Sequence, residues 1–370
     1  MTYLHNCWYV AAWSEEIAPG ATLTRTYLEQ PVVLFRQEDG TAGALLDRCP
    51  HRFAPLSAGK VVGDRIQCPY HGLEFTADGV CARNPYGPGV RSIRVRSIPL
   101  VERHRALWIW MGDPDSADAG RIPDLSYLAE APSTAFSCGY LLTRANFEIV
   151  SDNILDLTHT EYLHPTTLAG NQVVQRVKPT TRETPEGVEV TWFAPNVPLL
   201  KLFQAIHPEV ERAAMLTQVS WCAPAIMKLR AATIPADATG EEGFVNLNAH
   251  VMTPETNAST HYFFAATRNY RTEDAALNDF IAESRKRIFS MEDKPMIELV
   301  QQRMAGWEFW DMRPLLPGGD EAAVRARRRL RSLIAAEACA AQSAPVSAAQ
   351  AAVKMAASDP PFARDPVNRC

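Results

Sequence analysis

Cys49-Pro-His51, sixteen residues, and then Cys68-Pro-Tyr-His71 is the stretch that decides how this chain of 370 residues is read. Each half brings one cysteine and one histidine, in the order C-x-H-x16-C-x2-H. Two thiolates and two imidazoles allow one iron of a 2Fe–2S cluster to sit on sulfur and the other on nitrogen. Neutral imidazole gives iron less electron density than thiolate, so such a cluster is easier to reduce, at roughly −150 to +300 mV against about −400 mV for the all-cysteine plant type. That is the range of a one-electron relay feeding a second metal. Structural zinc also takes two cysteines and two histidines, but its fingers pair C-x2-4-C with H-x3-5-H. The one-plus-one spacing points instead to iron and sulfur.

The flanking residues predict strands. Residues 31–36, 38–40 and 42–46 read as strand, turn and strand before the first ligand pair, and Gly63-Asp64 breaks the chain before the second. Pro50 and Pro69 keep each ligand loop extended and remove an amide donor beside the sulfurs. Gly72 allows close backbone approach after His71. The N-terminal third is expected to be a small all-β domain with its ligands on two hairpin-tip loops.

A second constellation follows in Asn146-Phe-Glu-Ile-Val-Ser-Asp152-Asn153-Ile-Leu-Asp156-Leu-Thr-His159-Thr-Glu-Tyr-Leu-His164-Pro165. Apolar Ile149, Leu155 and Leu157 among polar neighbours suggest a helix with Asn153, Asp156 and Thr160 near one face. His159 and His164 are five apart, about 140° on a regular helix, so an unbroken helix cannot bring them to one metal. Pro165 disfavours helical geometry at His164, which predicts a helix end or a wide π-type turn there. Two imidazoles plus one carboxylate form the facial triad of non-heme Fe(II) oxygenases, with positions left open for dioxygen and substrate. H-x4-H alone is equally well read as two structural histidines. A preceding iron–sulfur motif reverses the balance.

Together these segments resemble the oxygenase component of Rieske non-heme iron ring-hydroxylating systems, in the group that holds vanillate and dicamba O-demethylases and toluenesulfonate methyl-monooxygenase. The matching stretches are Asn6-Cys-Trp-Tyr-Val-Ala-Ala-Trp13, Cys49-Pro-His-Arg-Phe-Ala-Pro-Leu56, Cys68-Pro-Tyr-His-Gly-Leu-Glu74, Asp152-Asn-Ile-Leu-Asp-Leu-Thr-His159, Thr253-Pro-Glu-Thr256 and His261-Tyr-Phe-Phe264. The resemblance implies one Rieske 2Fe–2S cluster on Cys49, His51, Cys68 and His71, and one mononuclear Fe(II) on His159, His164 and an acid of a later helix. That acid is carried to Asp293, in the Glu-Asp step of Phe289-Ser-Met-Glu-Asp293. Glu292 and Asp311 are its competitors, and an N-cap is the structural alternative, since Asp is favoured there and Pro295 fits a first helical turn.

By the same resemblance Asp156 is expected to bridge His71 of one subunit and His159 of the next, a catalytic electron path, and Asn153 to stand beside the iron. An ordinary helix-surface acid is the other reading of Asp156. His250 matches a substrate-contacting histidine of the dicamba enzyme, while the Asn and Trp accompanying it there fall at Leu229 and Ser284. That departure points to a more apolar or differently shaped substrate. Lys228 and Arg230 offer anion-binding charges, but on a strand they face opposite to Leu229. The implied reaction is O2-dependent monooxygenation of a small substituted aromatic, leading to O- or N-demethylation. Hydroxylation of an aryl methyl group and ring cis-dihydroxylation are the alternatives, and a Rieske electron carrier the reading from another class. No Gly-rich nucleotide fingerprint is found, so NAD(P)H and flavin are expected on a separate reductase, with or without a ferredoxin. The active form is expected to be a homotrimer with head-to-tail contacts.

Composition agrees with a medium-sized enzyme: 46% hydrophobic, 21% charged, net charge −5. The charge leaves no basic footprint for nucleic acid. No run approaches eighteen apolar residues and the start lacks a basic segment followed by an apolar core, so a cytoplasmic, membrane-free chain is expected. Cys7, Cys81, Cys138, Cys222, Cys339 and Cys370 lack framework spacing and read as free thiols. The expected fold is α+β: residues 1–118 a Rieske domain closed by Trp108-Ile-Trp110, and 119–338 a catalytic domain with an antiparallel sheet flanked by helices. In the second domain 243–252 and 260–266 read as neighbouring strands, and 275–302 as helices across from them. Residues 339–370 form an Ala-, Ser- and Pro-rich tail expected to be disordered, and the basic run 325–331 a solvated helix face.

Overall fold

The computed structural model describes residues 3–87, 92–168, 177–235 and 243–343. Ten short strands come first: β1 (Trp8–Trp13), β2 (Thr22–Tyr27), β3 (Gln30–Arg36), β4 (Ala42–Leu46), β5 (Lys60–Val62), β6 (Arg65–Gln67), β7 (Glu74–Thr76), β8 (Cys81–Arg83), β9 (Leu100–Arg103) and β10 (Ala106–Trp110). They pair as three antiparallel sheets, in the orders β2-β3-β4, β5-β6-β7-β8 and β1-β10-β9. The 3₁₀ turns and short helix α1 (Ser126–Glu130) that follow lead into a seven-stranded antiparallel sheet. Its strands are β11 (Phe136–Thr143), β12 (Thr180–Glu183), β13 (Gly187–Pro198), β14 (Arg212–Cys222), β15 (Ile226–Pro235), β16 (Phe244–Thr256) and β17 (Ser259–Arg268), in the order β11-β17-β16-β15-β14-β13-β12. The remaining helices are α2 (Phe147–Leu155), α3 (Thr160–Leu163), α4 (Lys201–Ile206), α5 (Ala275–Ile288), α6 (Lys294–Met304) and α7 (Glu321–Ser343). This is the α+β arrangement expected, with 243–252 and 260–266 paired as β16 and β17.

The period-two alternation of strands decides how the two parts are joined. On β1 and β10, Trp8, Val10, Trp108 and Trp110 pack against Ala249, Val251, Phe263 and Ala265 of the large sheet, while Tyr9, Ala11, Leu107 and Ile109 join a second core that reaches Phe147 and Trp221. Hydrogen bonds from Leu28 N–H to the Pro254 carbonyl (3.0 Å), from Thr253 Oγ1 to the Val10 carbonyl (2.7 Å) and from Trp13 Nε1 to the Gly139 carbonyl (2.9 Å) cross the same seam. The strand 108–110 thus lies at the middle of its sheet, on the catalytic sheet. The two halves share a core.

Two expectations are corrected at the C-terminal end. Helix α7 runs through position 339 to Ser343, because its alanine-rich stretch favours helix and Glu337 accepts hydrogen bonds from His5 N–H (2.8 Å) and Asn6 N–H (2.6 Å). Of the expected tail, residues 344–370, with Cys370, lie outside the described residues. The basic run is not a uniformly solvated face either. Arg327 is buried, donating to Asp152 at 2.7 Å and Glu148 at 3.1 Å, and so ties α7 to α2 beside the second histidine motif.

Replacing Arg327 by Met would leave two carboxylates without their cation, and breaking one side of a buried charge cluster costs about 3–5 kcal/mol. Thermal unfolding of Arg327→Met is expected to move down by roughly 5 °C or more. A melting midpoint equal to that of the wild type would contradict this role.

Candidate functional site

Two loops built alike carry the four N-terminal candidates. Cys49 N–H donates to the Ala54 carbonyl (2.8 Å) and Phe53 N–H to the Cys49 carbonyl (2.9 Å); Cys68 N–H donates to Leu73 (2.8 Å) and Gly72 N–H to Cys68 (3.1 Å). The fifth residue of each loop takes a left-handed conformation, Phe53 at φ 61° and Gly72 at φ 71°. At Gly72 an added Cβ would meet Pro85 at 3.2 Å, so glycine suits both the turn and the close approach. Both cysteines are buried, whereas His51 is exposed and His71 half-buried, with ring centroids 4.4 Å apart. Burial and the neighbouring Cys68 thiol push Cys49 up to about 11, so the thiolates would form as metal displaces their protons. Two buried sulfurs below two outward imidazoles suit a 2Fe–2S cluster with its nitrogen-ligated iron toward the surface. Exposed Phe53 and Tyr70 border this tip.

The second centre depends on two breaks in helical geometry. Helix α2 ends at Asp156, which adopts extended geometry (φ −121°, ψ 107°), and a 3₁₀ turn over Leu157–His159 restarts the chain into α3. Consequently His159 and His164 come together, their rings 5.2 Å apart. Between α5 and α6 the chain makes a π-turn over Phe289–Asp293. The helix end expected at His164 is present, α3 stopping at Leu163 with His164 outside helical geometry (φ −117°, ψ 47°), and the π-turn lies on the segment that brings the acid. It lets two consecutive carboxylates reach one histidine: Glu292 accepts from His164 Nδ1 at 2.7 Å, and Asp293 Oδ1 lies 3.2 Å from His164 Nε2.

Hydrogen bonding assigns the tautomers. His159 Nδ1 donates to the Asp156 main-chain carbonyl at 2.6 Å, and His164 Nδ1 to Glu292. Both Nε2 atoms therefore face Asp293 Oδ1, at 3.5 and 3.2 Å. Two imidazole lone pairs converging on a carboxylate oxygen require a cation between them. Among the described residues His159, His164 and Asp293 form the one group of three or more acids, histidines or cysteines whose ligand atoms all lie within 4.8 Å of one another. They supply the two nitrogens and one oxygen of a facial iron triad. With a proton in place of that cation, hydrogen bonds from the two histidines outweigh the burial that raises the Asp293 pKa and bring it to about 2. For His164 burial acts downward, and the bonds and charges of Asp293 and Glu292 prevail to raise it.

The competing assignments separate cleanly. Asp293 makes no N-cap hydrogen bond, Glu292 holds the far side of His164 and accepts from Thr167 Oγ1 (2.7 Å), and Asp311 is exposed. Asn153 Nδ2 donates to Asp293 Oδ1 at 3.1 Å, beside the triad as expected. The Asp156 carboxylate departs from expectation: it caps Thr158, accepting from its N–H and Oγ1 at 2.8 Å each, and only its main-chain carbonyl touches His159. Within one chain no hydrogen bond among the described residues links His51 or His71 to the triad.

A cavity of about 210 Å³ opens on the triad. It lies between the sheet and α5: on β16, Ala249 and Val251 face the tryptophan cluster, while Asn246, Asn248 and His250 line the cavity. Leu229 and Ala231 also line it, which leaves Lys228 and Arg230 on the opposite face. His250 Nδ1 is 2.7 Å from Tyr262 Oη, and burial lowers its pKa to about 3, so it is neutral. Ser284 does not line the cavity. From α5 the lining residues are Ile281, Arg285 and Ile288, one helix stripe at spacings of four and three, with Phe289 beyond. Arg285 was missed from sequence, its signal being that stripe, and Glu292, considered there as a competing ligand, instead holds His164 from its Nδ1 side.

Residues 143–336 match the family described as vanillate O-demethylase oxygenase C-terminal domain, and residues 7–94 match the Rieske [2Fe-2S] domain. The chain is 38% identical over 338 residues to the oxygenase component of chloroacetanilide N-alkylformylase of Rhizorhabdus wittichii, covering 90% of this chain and 97% of the other. It is 37% identical to the oxygenase component of dicamba O-demethylase of Stenotrophomonas maltophilia, covering 90% and 98%. The crystal structure of dicamba monooxygenase bound to dicamba superposes with a TM-score of 0.85 at 36% identity, covering 92% of this chain and 100% of that one.

Asp293 offers an oxygen to a metal between the two histidines, whereas Glu292 holds His164 from its far side. Asp293→Ala is expected to lose the mononuclear iron and keep the visible absorbance of the cluster, and Glu292→Gln to weaken iron binding by roughly 10- to 100-fold. Iron content and absorbance of the purified variants check both. Retention of that iron in Asp293→Ala with its loss in Glu292→Ala would reverse the assignment.

Proposed function

This chain belongs to the Rieske non-heme iron oxygenases, and we propose that it oxidatively demethylates or dealkylates a small substituted aromatic as the terminal component of a multicomponent monooxygenase. The observation that carries this reading is the cavity whose wall includes the two-histidine, one-carboxylate group. An electron carrier needs neither.

When bound, the mononuclear iron supplies dioxygen activation and the cluster supplies electrons one at a time. The protein's part is positional. Glu292 and the Asp156 carbonyl fix both imidazoles with Nε2 free for the metal, and Asn153 steadies the Asp293 oxygen. Leu157, Leu229, Ile281, Ile288 and Phe289 give the substrate a largely apolar wall that keeps water from the oxidising centre. One oxygen atom enters the methyl carbon of an ether or N-methyl group. The other leaves as water, with two electrons and two protons drawn from the reductase side. The resulting hemiacetal or carbinolamine splits to formaldehyde and the dealkylated aromatic.

Electrons are proposed to come from a separate NAD(P)H-oxidising flavin reductase, directly or through a ferredoxin, and to pass between subunits of a homotrimer. The exposed His51 and half-buried His71, bordered by Phe53 and Tyr70, suit docking against another surface. In this reading the Asp156 carboxylate turns from Thr158, or shares its bond, to receive His71 of the neighbouring subunit. A heterologous contact of this kind closes as a ring. No helix of the described residues is long and apolar enough to cross a membrane.

With a partner reductase, the protein is expected to release formaldehyde from at least one member of a panel of methoxybenzoates, N-alkyl anilides and arylsulfonates. Asp156→Asn is expected to keep both metal centres and lose turnover, with cluster oxidation stalled in a single-turnover experiment. A fully active monomer, or normal cluster-to-iron transfer in the variant, would contradict the inter-subunit path.

A further inference from the structure

Among the described residues Arg285 is the one permanent cation that lines the cavity, and none of the acids described there pairs with it. Its Nη1 donates to Ser137 Oγ and its Nη2 to Asn248 Oδ1, each at 3.1 Å, and both acceptors are neutral. Among the described residues no carboxylate pairs with it, and the remaining N–H groups of its fork have no protein acceptor. Burial lowers its pKa to about 10, which still leaves it charged at neutral pH.

Other shielded arginines of this chain are treated differently. Arg36 pairs with Glu102 and Arg327 with Asp152 and Glu148. Arg268, which also lacks a carboxylate on its guanidinium, is instead surrounded by carbonyl oxygens of Asn278, Thr134, Arg271 and Asp274. Arg285 is half-buried, and a charge partly withdrawn from water without a counterion is costly unless something in the functioning molecule compensates it. Arg285 has two neutral acceptors and an open side toward a cavity walled by Leu229, Ile281, Ile288 and Phe289. Asp293, the one carboxylate in that lining, is committed to the two histidines. His250 is neutral and brings no competing charge.

We propose that Arg285 is a specificity-determining residue that anchors a singly charged oxyanion substituent, carboxylate or sulfonate, on the aromatic substrate. This rests on the oxygenase reading of the cavity and adds to it the charge of the substrate. The planar guanidinium fork suits an oxyanion in two-point contact. Asn248, itself in the cavity wall, and Ser137 hold two N–H groups of the fork, so the charge is positioned before substrate arrives. Leu229 and the absence of Ser284 from the cavity wall therefore do not make the site neutral, because Arg285, the next residue of α5, brings a positive charge to it.

The test compares isosteric pairs on the iron-loaded holoenzyme: 4-methoxybenzoate with 4-methoxybenzamide, and 4-methoxybenzenesulfonate with its sulfonamide. Equilibrium binding is measured by calorimetry, and KM and kcat by formaldehyde release with the reductase. The wild type is expected to bind the anion of at least one pair about tenfold or more tightly than its neutral partner, and the better pair identifies the oxyanion. In Arg285→Met the anion is expected to weaken by roughly 10- to 100-fold, chiefly in KM, with the preference abolished. Equal weakening of both members of a pair would mark Arg285 as merely structural and overturn the proposal, as would a wild type that prefers the neutral partners. Should the Met variant lose its iron or cluster, Arg285→Lys decides: a reduced but surviving anion preference supports the proposal, and an unchanged affinity for both members overturns it. Anion-selective binding without formaldehyde release would sustain Arg285 and defeat the dealkylation reading, whereas formaldehyde release without charge selectivity would do the reverse.

Discussion

Two hydrogen bonds on the far sides of His159 and His164 are the constraint on which the catalytic half depends. The Asp156 carbonyl and the Glu292 carboxylate each take an Nδ1 proton, and this turns both Nε2 atoms toward Asp293. Neither acceptor could reach its histidine on regular helices. Asp156 is available because α2 ends there in extended geometry, and Glu292 acts together with Asp293 because the π-turn over Phe289–Asp293 allows two successive acids to approach one imidazole. Irregular helical geometry is thus spent where the metal requires it, in keeping with the recurrence of π-turns at functional sites.

The same elements shape the cavity. The π-turn carries Phe289, which packs edge-on against His250, Tyr262 and Phe264, while α5 before it presents Ile281, Arg285 and Ile288. Metal position and substrate wall are therefore coupled through one continuous stretch of chain. At the other end of the molecule the cluster loops bury sulfur and turn imidazole outward, so the nitrogen-ligated side meets whatever docks there. Between them the tryptophan cluster on β1 and β10 fastens the small sheets to the large one.

Much of this was legible in the residues. The C-x-H and C-x2-H pairs carry their own chemistry, and the distance between His159 and His164 already required a break in the helix. Pro165 marked the helix end at His164, whereas the π-turn over Phe289–Asp293 was not legible, because it leaves no composition signal. The resemblance makes Asp156 a carboxylate bridge from His71 of one subunit to His159 of the next; within the chain its carboxylate holds Thr158 and its main-chain carbonyl meets His159. Ser284 was placed in the cavity by alignment alone, whereas the helix stripe selects Arg285. The alanine-rich end resembled a disordered tail, but Glu337 returns it to the N-terminus and makes it helix as far as Ser343.

The central claim is that this single chain holds an electron-transfer cluster and a separate oxygen-activating iron. Mössbauer spectroscopy of protein grown on ⁵⁷Fe measures this most directly. The account expects roughly three irons per chain: two in a cluster whose sites differ, one ligated by sulfur and one by nitrogen, and a third apart from them in nitrogen and oxygen coordination. A spectrum containing only the cluster in fully loaded, active protein, or a cluster whose two irons are both sulfur-ligated, would contradict it.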